Sequence, residues 1–189
     1  MKNSNQYNLK KIYGNRVNLL SIDNLTVEIL HSWSKYSEFY KYLEFTQFQT
    51  LKESENYLKK LKNRSNGKDG YYWVISLVDG GIIGNIGVLN IDQYKRMGEI
   101  GYGIHPDYWG KGFFKETLNL LIKELIETYK FNRIWAKTNT LNLASISGLK
   151  SCGFSEEGVL RDYYLHNKTG CYSDAVILSI LAKDIEANN

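Results

Sequence analysis

Cysteine is scarce in this 189-residue chain. Cys152 and Cys171 form no Cys-x-x-Cys pair, which excludes a disulfide framework and a thiolate zinc site. His31, His105 and His166 stand at no metal-ligand spacing, so no metal is expected. No long apolar run occurs, which excludes a membrane-spanning helix. Met1 to Lys11 lacks the apolar core of a signal peptide, and the expected location is cytoplasmic. A large excess of one charge is also missing. There are 24 basic and 20 acidic residues, a net charge of +4, too balanced to imply nucleic-acid binding. The densest basic stretch, Lys59-Lys60-Leu61-Lys62-Asn63-Arg64, ends a predicted helix, where cations suit the dipole. Repeats, linkers and low-complexity segments are missing too, so the expectation is one domain over residues 1–189, with 1–13 loosely ordered.

What is present is an interleaving of strand and helix patterns. Arg16 to Leu20 reads as a strand. Asn24 is placed to cap a helix running to about Tyr36. Thr50 and Glu53 have capping-box spacing before a helix over Leu51 to Lys62. Ser65 to Gly70 reads as a turn, and Tyr71 to Val78 and Ile82 to Ile91 as strands joined by Asp79-Gly80-Gly81. Gly98 to Ile104 is a third strand of this group. Phe114, Leu118, Leu121, Ile122, Leu125 and Tyr129 then make one apolar helical face. Arg133 to Thr138 reads as a strand and Asn142 to Cys152 as a helix closed by Gly153. Phe154 to Val159 and Tyr172 to Leu181 are the final expected strands. This order makes a mixed α/β domain rather than an alternating array.

The chemistry concentrates in His105-Pro106-Asp107-Tyr108-Trp109-Gly110-Lys111-Gly112-Phe113-Phe114, between a strand and the best helix of the chain. Glycines admit close backbone approach, and a helix start offers free N–H groups with partial positive charge, a site for phosphate. A Walker A loop is ruled out: His105 stands where its first glycine belongs and Gly112 where Ser or Thr should follow. A dinucleotide fingerprint starting at Gly101 fails at Pro106.

The segment Tyr108-Trp109-Gly110-Lys111-Gly112 resembles the pyrophosphate loop of the GNAT acetyltransferases, most closely their RimJ/RimL-like branch. Asn142-Leu143-Ala144-Ser145 followed by Gly153-Phe154, and Arg161 with Gly170, Tyr172 and Asp174, extend the resemblance over about Arg16 to Leu181. It implies a mostly antiparallel twisted sheet of about six to seven strands flanked by about four helices. It also implies an acetyl-CoA-dependent N-acetyltransferase without metal. The acceptor would be a small-molecule amine (amino sugar, polyamine or amino acid) or a protein N-terminus. The protein would act as a monomer or homodimer, with no nucleic acid and no membrane. A non-catalytic acyl-CoA-binding domain is the alternative.

By this resemblance, backbone N–H groups over Trp109, Gly110, Lys111, Gly112, Phe113, Phe114 and Lys115 hold the pyrophosphate. The pantetheine arm lies along Tyr102, Gly103 and Ile104, and a backbone N–H there polarises the carbonyl. Glu99 is the candidate base, or else a solvated strand carboxylate or the partner in an ion pair. Ser145 is the candidate donor to the leaving thiolate, or else a locally bonded helix residue. Leu149 takes the place of a tyrosine that many relatives use for that step. Asn142 contacts the pantetheine amides, caps its helix, or does both. Trp33, Tyr36 and Tyr40, with Tyr164 opposite, border the acceptor cleft or fill a core beneath the helical cap. Phe114 stands where a small side chain is usual.

Overall fold

The computed structural model describes residues 10–65, 70–166 and 169–186. Residues 66–69 of the expected turn, and 1–9 of the expected loose start, lie outside the described residues. Among the described residues, eight strands form one sheet in the order β1-β2-β3-β4-β5-β6-β8-β7. They are β1 Ile12–Tyr13, β2 Val17–Ser21, β3 Gly70–Leu77, β4 Ile82–Asp92, β5 Met97–Ile104, β6 Arg133–Asn139, β7 Ser155–Leu165 and β8 Tyr172–Leu181. The helices are α1 Val27–Ser32, α2 Ser37–Tyr40, α3 Leu51–Arg64, α4 Phe113–Glu127, α5 Leu143–Ser151 and α6 Ala182–Glu186.

Thr50 and Glu53 close the expected capping box at α3. Asp79-Gly80-Gly81 closes the β3–β4 hairpin, with Gly80 at a φ of 104° and its N–H on the Leu77 carbonyl. On α4, Leu118, Leu121, Ile122 and Leu125 are buried against the sheet, each contributing roughly 1.5–3 kcal/mol. The first helix differs from expectation. Thr26 caps it, accepting from Ile29 N–H, while Asn24 donates its side-chain amide to the Ser21 carbonyl. The helix then breaks after Ser32 into a 3-10 turn and the short α2.

Two hydrophobic layers flank the sheet. One, under α4 and α5, holds Tyr71, Trp73, Ile75, Val88, Ile100 and Leu149. The other, under α1 and α3, holds Trp33, Leu58, Leu61, Tyr72 and Val74. Neighbouring strands are antiparallel except β5 and β6. That parallel pair stays in register only at Met97–Arg133, Gly98–Ile134 and Glu99–Trp135. Beyond it β5 continues on β4 as far as Ile104, and β6 continues on β8 as far as Asn139. The sheet therefore opens in a V whose vertex is at Glu99 and Trp135.

Candidate active site

The loop after β5 is built to present backbone. His105 Nδ1 accepts from Asp107 N–H at 3.2 Å, starting a 3-10 turn over Pro106–Tyr108. Trp109 turns its indole back and donates to the Ile104 carbonyl at 2.6 Å. Gly110 and Gly112 then take φ values of 70° and 80°, a left-handed conformation that costs an L side chain roughly 1–2 kcal/mol. At α4 no side chain bonds the first turn, whereas Thr26, Thr50 and Asn142 cap α1, α3 and α5. The N–H groups of this first turn need an outside acceptor, and the dipole favours an anion there.

Arg16 braces this loop from behind. It donates from Nη1 to the Lys111 carbonyl at 3.1 Å and from Nε to Glu116 Oε2 at 2.8 Å, and its guanidinium lies 4.8 Å from the Phe113 ring centroid. Partial burial pushes the Glu116 carboxyl up, but hydrogen bonds from Arg16 and Val17 outweigh it and leave it below the usual carboxylate range. A carboxylate in the first turn would otherwise compete with a bound anion, and Arg16 offsets its charge. In the sequence Arg16 marks only the start of a strand, because 100 residues separate it from Glu116.

A cavity of about 450 Å³ opens beside the loop. Trp109, Gly110, Gly112 and Phe114 line one end, Tyr102, Gly103 and Ile104 the strand side, and Asn142, Ala144 and Ser145 the start of α5. Phe39, Tyr42 and Leu43, beside α2, complete the wall. Phe39 comes so close that a Cβ on Gly103 would lie 2.8 Å from its ring. Phe114 packs into the space left by Gly148, where a Cβ would lie 2.7 Å from the ring, and its ring centroid is 4.5 Å from that of Tyr102. Leu149 is fully buried in the core.

The Tyr102 hydroxyl meets Ser145 Oγ at 2.5 Å. Burial pushes the phenol up to about 12, the Ser145 hydrogen bond pulls it down, and Cys152 adds a smaller push upward. In the sequence only the strand backbone of Tyr102 has a legible part; its hydroxyl has no local signal, because Ser145 is 43 residues away. Asn142 acts as the cap, accepting from Ser145 N–H at 3.3 Å. Lys111, Phe113 and Lys115 are not among the described residues lining the cavity: Lys111 and Lys115 have exposed side chains, and Phe113 lies under Arg16.

Glu99 lies at the vertex of the V, on the opposite face of β5 from Tyr102. It is not among the described residues lining the cavity. Asn90 donates to its Oε2 at 2.7 Å, and the Lys137 ammonium is 3.5 Å from Oε1. Lys137 also reaches the Tyr163 hydroxyl and lies over that ring and the Trp135 ring. Tyr164 is half-buried beside this cluster; burial, then the Glu99 charge, push its phenol well above the usual range. Of the expected readings of Glu99, the ion pair is the one formed in the structure, with Lys137.

The acceptor-side aromatics divide. Trp33 is 1% exposed and packs with Leu30, Leu58 and Leu61. Tyr40 is buried, its hydroxyl on Ser34 Oγ at 3.0 Å and its ring against Phe39, Phe45 and Phe48. Both are core of the cap rather than cleft surface, a correction to their expected place. Tyr36 donates to Asp107 Oδ2 at 3.0 Å and edges onto His105 at 4.7 Å, tying α2 to the loop. A second, larger cleft of about 670 Å³ lies between α4 and α6, lined by Arg96, Lys123, Lys130 and Ile185; the strand-to-helix loop is not part of it. No cluster of metal ligands occurs among the described residues.

A strand-to-helix anion loop beside a splayed sheet defines a class of acyl-CoA-dependent transferase, and comparison with known proteins agrees. Residues 16–155 match the acetyltransferase (GNAT) domain, and the chain belongs to this family. It is 29% identical over 177 residues to the uncharacterised N-acetyltransferase p20 of Bacillus licheniformis, covering 93% of this chain and 98% of that protein. A GNAT-family acetyltransferase structure from Bacillus anthracis superposes with a TM-score of 0.80 at 21% identity, over 92% of this chain and 99% of that one. The Vibrio cholerae spermidine N-acetyltransferase, in complex with CoA and spermine, gives 0.76 at 20% identity, over 90% of this chain and 98% of that one. The chain is an acetyl-CoA-dependent N-acetyltransferase.

Proposed function

We propose that the chain passes the acetyl group of acetyl-CoA directly to a primary amine, with both substrates bound together. The observation that carries this reading is the uncapped start of α4 behind Gly110 and Gly112, at the end of a cavity that runs along β5 to Ser145. The free N–H groups suit the CoA pyrophosphate, and each hydrogen bond to a charged group contributes roughly 1.5–3 kcal/mol. The V beyond Glu99 leaves strand edges of β5 and β6 that suit the amides of pantetheine.

The acceptor amine is protonated at neutral pH, since alkylamines titrate near 10.4. Glu99, alone or through water, takes that proton. A backbone N–H between Tyr102 and Ile104 polarises the thioester carbonyl, and Ser145 donates to the sulfur as the C–S bond breaks. The acceptor is a small-molecule amine, such as an amino sugar, polyamine or amino acid, or a protein N-terminus. The spermine bound to the Vibrio relative makes polyamines the first acceptors to try.

The test is thiol release from acetyl-CoA over spermidine, glucosamine, free amino acids and peptides with a free N-terminal alanine. Saturable release with one of these supports the reading. Tight CoA binding with no release favours a non-catalytic acyl-CoA-binding domain, the reading that buried Leu149 would suit.

A further inference from the structure

We propose that Tyr102 is a positioning residue for the leaving group: its phenol hydroxyl donates to Ser145 Oγ and so aims the Ser145 hydrogen at the thioester sulfur. The inference rests on the acetyltransferase reading above and extends it from the strand backbone of Tyr102 to its side chain. A serine hydroxyl rotates freely and can donate only once. If it gives that hydrogen to the sulfur, its oxygen must accept from elsewhere. The Tyr102 hydroxyl, 2.5 Å away and lining the same cavity, is placed for this. A phenol is the more acidic hydroxyl of the two, hence the stronger donor.

The surroundings fix the pair from both sides. Ser145 is in the first turn of α5, its N–H held by Asn142 Oδ1 at 3.3 Å. The Tyr102 ring is held against Phe114, which in turn fills the space at Gly148. Phe114, the residue that departs from the family pattern, therefore supports the tyrosine that orients Ser145. With Leu149 buried and lacking a polar atom, the hydroxyl on the thiolate side comes from β5 and α5.

The step balances without a proton passing through tyrosine. The amine nitrogen bonds to the carbonyl carbon, the C–S bond breaks, and its electron pair stays on sulfur. The nitrogen gives up two protons through Glu99 to water, one before the attack and one as the amide forms, and the sulfur takes its own proton from water as CoA leaves. Burial holds the Tyr102 phenol at about 12, above the thiol range near 8.5, so beside a thiolate it keeps its proton and contributes a hydrogen bond.

The experiment is a double-mutant cycle of Tyr102→Phe and Ser145→Ala, read as kcat and KM with acetyl-CoA and the best acceptor of the panel. CoA titration calorimetry on each variant reports whether fold and cofactor site are intact. Tyr102→Phe keeps the ring on Phe114; it should lower kcat about tenfold while CoA affinity stays within about twofold. The double variant should be no slower than Ser145→Ala alone, because Tyr102 acts through Ser145. Ser145→Thr, which keeps a hydroxyl, should retain the dependence on Tyr102. An unchanged kcat in Tyr102→Phe, or losses that multiply in the double variant, would overturn the proposal. A wild type that binds CoA but releases no thiol would instead remove the reading beneath it.

Discussion

In the proposed reaction Glu99 carries a stronger demand than any other side chain: it accepts a proton while Asn90 and Lys137 crowd its oxygens. Glu99→Gln should lower kcat about a hundredfold with CoA affinity unchanged. With a polyamine acceptor the residual rate of that variant should climb about tenfold per pH unit through neutrality, as the free fraction of the amine grows. A pH–rate profile matching wild type would remove Glu99 from the chemistry. Glu157 offers a separate test, of stability. Hydrogen bonding from Arg133, helped by Ser179 and opposed by partial burial, holds its carboxyl down at about 2. A depressed carboxyl contributes stability above its unfolded value of 4.5 and loses it as pH falls toward 2. The Tm of wild type should therefore drop more steeply than that of Glu157→Gln across that window. The two curves running parallel would contradict this.

At the scale of elements, the proposed cofactor site puts the weight on the start of α4. Glu116 in its first turn opposes an anion, and Arg16 cancels it. Arg16→Gln should weaken CoA binding about two- to fivefold, and Glu116→Gln added to it should restore most of the loss. If the second change deepens the loss, the pair serves only to hold β2 on α4. The elements also show what a sequence discloses. The apolar face of α4, the capping box of α3 and the Gly80 hairpin were legible because their signals lie within a few residues of one another. Strand β7 runs further than expected, to Leu165, because most of it is exposed and shows no apolar alternation. Strand β1 has two residues, too few for any period. The glycines of the loop were legible, since both need left-handed backbone. The contacts that complete the site, Tyr102 with Ser145 and Arg16 with Glu116, join residues 43 and 100 apart, and no local pattern encodes them. Trp33 and Tyr40 looked the same in sequence whether they faced a cleft or a core.

For the molecule as a whole, one break in the sheet organises the function. β5 and β6 part after Glu99 and Trp135, so the candidate base stands at the vertex, the anion loop follows one arm, and α5 follows the other. The loop at the end of the β5 arm is proposed to hold the CoA pyrophosphate by backbone alone. Gly112→Asp addresses that claim with one atom group. It places a side chain at a φ of 80°, 3.3 Å from Arg16 at its Cβ, and a negative charge at the helix start. The decisive measurement is a calorimetric titration of CoA into wild type and Gly112→Asp. The expected result is binding to wild type and a loss of tenfold or more, about 1.4 kcal/mol at least, in the variant. Equal affinity in the two proteins would contradict it.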